Sequence, residues 1–221
     1  MSITKIAKEI EKRFVSIPDE WDGKKAILEM KEKDYPHWRQ MEWIGFYFQF
    51  LCEKLLDGLF EFQKPFYGRA SFDGLYQIPF DFKAHAINTS SHQIIVNDSE
   101  AISLAIKEYG SVGVIVSLGK VLYNDEDRSF QQWHEELKGG LSEYTKERIA
   151  RGAWSRLRKQ KFSLSQISII EITNKTLMKC GYFQEAFRNS DGNPRRKKIL
   201  LDLESLNEEI IHFIDYNKNS K

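Results

Sequence analysis

The sequence predicts an α/β fold, a mixed β-sheet flanked by α-helices. Two strand-like segments between residues 60 and 87 precede a helix-like segment, which leads into the continuous apolar run "SVGVIVSLGKVLY". Strands, then a helix, then a strand with no polar alternation are what layered α/β packing requires, because the last strand must be covered on both faces. The chain has 221 residues, 41% of them hydrophobic, which matches the size of one domain around one core.

Each element follows from its local pattern. Ile3, Ile6, Ile10 and Phe14 recur at helical spacing, and Pro18 ends that helix. "KKAILEMKEK" reads as a second, short helix. "HWRQMEWIGFYFQFLCEKLLDG" follows Pro36 and closes on Asp57-Gly58, so it reads as one long helix, apolar on most of its circumference and therefore buried. Its exceptions, Glu42, Gly45, Gln49, Cys52 and Glu53, fall along one stripe at 100° per residue. "FEFQKPFYGRAS" and "DGLYQIPFDFKAHAI" have strand composition punctuated by Gly and Pro. "DSEAISLAIKEYG" carries an Asp/Ser start and a glycine stop, the marks of a helix.

Beyond Leu137 the chain becomes more basic. "SEYTKERIARGAWSRLRKQKF" places Ile149, Ala153, Trp154 and Leu157 on one side of a helix and Arg148, Arg151, Arg158 and Lys159 on the other. "SQISIIEITN" is a further apolar strand. "YFQEAFRNSDGNPRRKKILLDL" reads as strand, turn, basic tetrad and strand, and "SLNEEIIHFIDYN" as a closing amphipathic helix. The organisation is one domain over 1–221, with an N-terminal helical segment (1–36), a core (37–136) and a basic C-terminal part (137–221).

Basic and acidic residues nearly cancel, 33 against 32, so affinity for a polyanion has to come from local clusters. Cys52 and Cys180 form no CxxC pair and no zinc spacing. The N-terminus is charged throughout and no apolar run approaches the ~20 residues of a membrane span, so a cytoplasmic protein without membrane association is expected.

The chemistry concentrates in "FDGLYQIPFDFKA". Strand alternation sends Ile78, Phe80 and Phe82 one way and Asp81 and Lys83 the other, and pairing of the two short strands brings Asp73 to the same point. Two adjacent carboxylates raise each other's pKa unless a cation lies between them, and one ammonium compensates them only in part. Magnesium takes oxygen ligands, commonly one or two carboxylates completed by water and phosphate oxygens. The competing reading makes Asp73 an Asp-Gly turn former and Asp81/Lys83 a surface ion pair.

Asp73, seven residues, then Asp81-Phe82-Lys83 resembles the PD-(D/E)XK nuclease signature, with Phe72 where the pattern often has proline. The order of elements from 38 to about 118 is similar to the restriction-endonuclease core, and the resemblance points to a type II restriction endonuclease. It implies Asp73, Asp81 and Lys83 as catalytic residues, with Glu42 matching the glutamate that many members carry on a preceding helix. Asp73, Asp81, Phe82 and Glu42 become the expected ligands of Mg2+, for which Mn2+ can substitute. Glu42 can equally be a solvated carboxylate or a partner of Arg39. Glu53, on the same stripe but roughly 16 Å further along, competes with it for the metal.

The resemblance further implies a homodimer on a short palindromic site in double-stranded DNA, with a cognate DNA methyltransferase as companion. Seven Lys or Arg residues between Lys146 and Lys161 and the run Arg195-Arg196-Lys197-Lys198 are the expected phosphate contacts, although a solvated helix face is the ordinary explanation for such clusters. Arg148, Arg151, Arg158, Lys159 and Lys197 belong to that set, and Arg188, Asn189, Asn193, Arg195 and Arg196 are the candidates for reading base edges. A structure-specific repair or junction-resolving nuclease and a non-enzymatic DNA-binding regulator are the alternatives.

Overall fold

The computed structural model describes residues 3–62, 72–123, 126–141, 143–153, 156–189, 191–206 and 210–216. Helix α1 (Ile3–Phe14) buries Ile6, Ile10 and Phe14 at the predicted spacing. A three-residue strand β1 (Glu20–Asp22) follows, short enough that its sequence carries no alternation to detect. Asp22 caps α2 (Gly23–Glu32), its carboxylate accepting from the N–H groups of Lys24 and Lys25, both at 3.1 Å. Helix α3 (Trp43–Leu55) is shorter than 37–58, because residues 37–39 form a turn, 40–42 are irregular, and Glu42, at φ −86° and ψ 56°, lies outside the helical region.

The main sheet contains β2 (Gly74–Tyr76), β3 (Ile78–Ala86), β5 (Val112–Tyr123), β6 (Lys159–Ile172) and β9 (Ile210–Asp215) together with β1, in the order β1-β6-β5-β3-β2, with β9 also on β6. It is mixed. β2 and β3 form a tight antiparallel hairpin, β3 and β5 run parallel, and β5 and β6 form a long antiparallel pair. A parallel pair needs a crossover, and here it contains β4 (Gln93–Asp98) and α4 (Ser99–Tyr109), the helix ending on Gly110 at φ 88°. β4 joins β8 (Lys198–Asp202) and β7 (Gly181–Phe183) in a second, three-stranded sheet. Helices α5 (Ser129–Leu137), α6 (Glu143–Ala150) and α7 (Asn174–Leu177) occupy the connections.

The single expected core is divided by the sheet. Alternate residues of β5 face opposite ways: Val114 and Val116 pack with Val96, Ile102, Ile199 and Leu201, while Ile115 packs with Trp21, Phe48, Phe80 and Phe82. Phe80 lies opposite Gly113, where an added Cβ would stand 2.0 Å from its ring. That close approach is what Gly113 provides.

Several expectations are corrected. The basic helix expected over 142–162 extends only to Ala150; Gly152 turns at φ 67°, and the chain has re-entered the sheet by Lys159, where β6 begins. Arg158 is consequently buried at 8% exposure rather than lying on a solvated face, and Lys159 is a strand residue. The closing amphipathic helix is instead strand β9, paired with β6 over Gln166–Ile170; for a short apolar run, a free strand edge outweighs a helical pattern. The strand expected over 60–71 leaves a bridge between Glu61 and Leu75 inside the described residues, with 63–71 outside them, as is Trp154.

Candidate active site

The β2–β3 hairpin brings Asp73, Asp81 and Lys83 together. Asp73 N–H donates to the Phe80 carbonyl at 2.9 Å, extending the ladder one residue before β2. β3 continues beyond this point without β2 beside it. Phe82 therefore directs its N–H toward a vacated ladder position, and Asp73 Oδ2 accepts that N–H at 2.6 Å. Because N–H and C=O of one strand residue lie toward the same edge, the Phe82 carbonyl shares this side with Asp73.

Asp81 stands on the other face of β3 from Phe80 and Phe82 and is 2% exposed. Its Oδ1 accepts from Asn97 Nδ2 at 3.3 Å, while Oδ2 is buried with no hydrogen-bond donor among the described residues. Lys83 Nζ lies 3.6 Å from Asp81 Oδ2 and 3.9 Å from Asp73 Oδ2, too far for a strong hydrogen bond to either.

The electrostatics follow from that geometry. Burial pushes Asp81 up to about 6; Lys83 opposes the rise and Asp73 adds to it. Burial also raises Asp73, against the pull of Lys83 and the Phe82 N–H. For Lys83 burial disfavours the charge, but the two aspartates more than compensate and its pKa lies above the usual lysine value. One ammonium thus faces two carboxylates, and a buried carboxylate oxygen lacks a donor. This donor set fits a hard divalent cation. Among the described residues no group of three or more His, Cys, Asp or Glu side chains is arranged to hold a metal. The cation would rest on Asp73, Asp81 and the Phe82 carbonyl, with water and substrate oxygens as its other ligands, the arrangement magnesium commonly uses.

Glu42 and Glu53 occupy different places. Glu42 sits just before α3 and its carboxylate accepts from Lys159 Nζ at 2.7 Å, not from Arg39. It stands on the rim of a cleft of about 350 Å3 whose lining includes Gly45, Gln49, Asp73, Lys83, His85 and Lys159. Glu53 is held from two sides, Oε1 accepting from the Tyr35 hydroxyl at 3.0 Å and Gln49 Nε2 at 3.2 Å, and its charge contributes to raising Asp73. Of the stripe read from α3, Glu42, Gly45 and Gln49 line the cleft while Cys52 is buried in the core and Glu53 lies outside the lining, coupled to Asp73 by its charge.

The basic residues divide into three groups. Around the end of α6, Arg148 is half-buried, its Nε donating to the Ala153 carbonyl at 3.1 Å, and Arg151 is exposed and pairs with Glu147 at 3.9 Å. Lys159 lines the cleft itself. The third group lies on the β7–β8 hairpin. Its loop is closed by Asn189 N–H donating to the Asn193 carbonyl at 2.8 Å and by Arg188 Nη1 donating to the Gly192 carbonyl at 2.9 Å. Arg195 is exposed, Arg196 pairs with Asp98 at 3.3 Å and Lys197 with Glu185 at 3.1 Å.

Two residues near Asp81 escaped the sequence reading. Asn97 lay in "NDSE", where it was indistinguishable from a helix-start residue, and Lys198 counted only as one of a basic run. Its proximity helps lower Asp81. The available signal was the polar pair Asn97-Asp98 at the end of an apolar strand.

No family model, curated protein or solved structure matches the chain. Among the described residues, no helix is long and apolar enough to cross a membrane.

Proposed function

We propose that the chain is a divalent-metal-dependent endonuclease of the PD-(D/E)XK type, with a restriction-endonuclease-like core, that hydrolyses phosphodiester bonds in double-stranded DNA. The observation that carries this reading is the convergence of Asp73, Asp81 and Lys83 on one hairpin, with carboxylate charge in excess of the ammonium and Asp81 Oδ2 without a donor among the described residues. Asp73, Asp81 and the Phe82 carbonyl hold the cation. When bound, Mg2+ or Mn2+ supplies Lewis acidity toward a phosphate oxygen and lowers the pKa of a bound water.

The chain's own residues do the rest. Lys83 remains protonated at neutral pH and donates to a phosphate oxygen or to the attacking water, stabilising charge as it develops. Lys159, on the cleft wall, provides a cation for an adjacent phosphate, and the half-buried Arg148 with the exposed Arg151, Arg188, Arg195 and Lys197 extends the positive surface. Arg195 and Arg188, with Asn189 and Asn193 in the hairpin loop, are the candidates for reading base edges, since a two-stranded ribbon fits the major groove. Type II restriction endonucleases act as two-fold dimers on palindromic sites beside a cognate methyltransferase, and this reading carries those expectations with it.

The test is incubation of the purified protein with supercoiled plasmid and Mg2+. Discrete, reproducible fragments are expected, abolished by a chelator and by Asp81→Asn or Lys83→Ala, while both variants still retain duplex on a filter. Undiminished cutting by Asp81→Ala overturns the assignment.

A further inference from the structure

We propose that Asn97 is a positioning residue for Asp81 and that Asp98 joins it to Arg196, so that the basic hairpin is mechanically part of the cation site. The inference rests on the metal-site reading above.

The origin is a backbone irregularity. β4 pairs with β8 with Ile95 opposite Leu200 and Asp98 opposite Lys198, so three steps on one strand meet two on the other. The extra residue is a bulge, which re-aims side chains and strengthens local twist. Here both polar residues beside it are buried, Asn97 at 9% and Asp98 at 7% exposure. Asn97 Nδ2 donates to Asp81 Oδ1 at 3.3 Å, and Asn97 Oδ1 accepts the N–H of Asp98 at 2.8 Å. The amide is thereby gripped at both ends, which fixes the Asp81 carboxyl plane and leaves Oδ2 as the oxygen directed at Lys83.

Asp98 carries the connection outward. It occupies the position before α4 where an aspartate ordinarily accepts a helix N–H, yet its side chain makes no capping hydrogen bond. Its oxygens are taken by the hairpin instead, Oδ2 by Arg196 Nη1 at 3.3 Å and Oδ1 by Lys198 Nζ at 3.5 Å. The main chain adds a third tie, Ser99 N–H donating to the Lys197 carbonyl at 2.8 Å. A cap that serves the neighbouring hairpin rather than its own helix couples that hairpin to Asn97, and through it to Asp81.

The sign of one substitution separates this link from simple charge effects. Arg196 is exposed and pairs with Asp98; removing a nearby positive charge would by Coulomb interaction alone tighten binding of a divalent cation. Loss of positioning acts oppositely, since residues that orient a metal ligand typically change affinity by 10–100-fold.

The experiment is calorimetric titration of Mn2+ alone into the apo protein, without DNA, with melting curves to verify folding. Wild type is compared with Asn97→Ala, Arg196→Ala, Arg196→Lys and Asp81→Asn. Asn97→Ala is expected to bind about tenfold more weakly, Arg196→Ala more weakly by a smaller factor, and Arg196→Lys, which can still reach Asp98, close to wild type. Unchanged or tighter Mn2+ binding by Arg196→Ala, with binding lost in Asp81→Asn, overturns the link alone. Wild-type binding by Asp81→Asn sinks the metal site and the link together.

Discussion

Lys83 Nζ stands 3.6 Å from the buried Asp81 Oδ2, an ion pair whose carboxylate oxygen has no hydrogen-bond donor among the described residues. Burial penalises both charges, and the pair is held by the fold rather than by ideal geometry. Removing the ammonium leaves two carboxylates facing each other. Lys83→Ala should cost about 1–3 kcal/mol at pH 8, with a smaller loss at pH 5, where Asp81 is protonated. Urea denaturation at the two pH values measures the difference.

The pH dependence has a definite sign. The folded pKa of Asp81, about 6, exceeds its unfolded value, so the native state binds more protons than the unfolded chain between roughly pH 4 and 6. Stability from this group therefore falls as pH rises through that window and is flat above it. Asp81→Asn should remove this decline from a series of urea midpoints measured between pH 4 and 7. The affinity for Mn2+ should weaken below about pH 6, since the ligand must be deprotonated.

Cation binding should stabilise the fold by mass action. At a hundredfold excess over its dissociation constant, Mn2+ adds about 2.7 kcal/mol, visible as a rise in melting temperature. Asp81→Asn should abolish the shift. Glu42→Gln should preserve it, because that carboxylate is 70% exposed and engaged by Lys159, and its loss should change baseline stability by only ~0–1 kcal/mol.

Packing behind the hairpin offers a test independent of any chemistry. Phe80 precedes Asp81 and lies against Gly113 in the parallel register. Gly113→Ala drives a methyl into that ring and should destabilise by about 1–3 kcal/mol, measured by thermal melting. Displacement of Phe80 should also lower Mn2+ affinity.

Much of the centre of the fold was legible in the sequence. The α1 spacing, the glycine stop of α4 and the apolar β5 each carry a single dominant local signal, and each lies where expected. The hairpin residues were legible too, because alternation fixes that Asp81 and Lys83 share a face whatever the tertiary context. What local pattern could not supply was competition for sheet edges. β9 exists because β6 is long enough to offer it a partner, and β1 is too short to announce itself. Likewise Glu42 and Glu53 were equivalent on a helical wheel. Only the fold sets one against Lys159 and the other between Tyr35 and Gln49, and only a bulge in β4 turns Asn97 toward Asp81.

The carboxylate of Asp73 on the Phe82 N–H also bears on solubility. Among the described residues no strand pairs with the β2 edge of β3 past that short contact, β5 lying along the opposite edge, and such an open edge invites strands from other molecules. Asp73 blocks its first open donor with a fixed negative charge, and Lys83 adds a positive one beside it. The groups proposed for hydrolysis would thus double as guards against intermolecular sheet growth, so neutralised variants such as Asp73→Asn should self-associate more readily at high concentration than the parent chain.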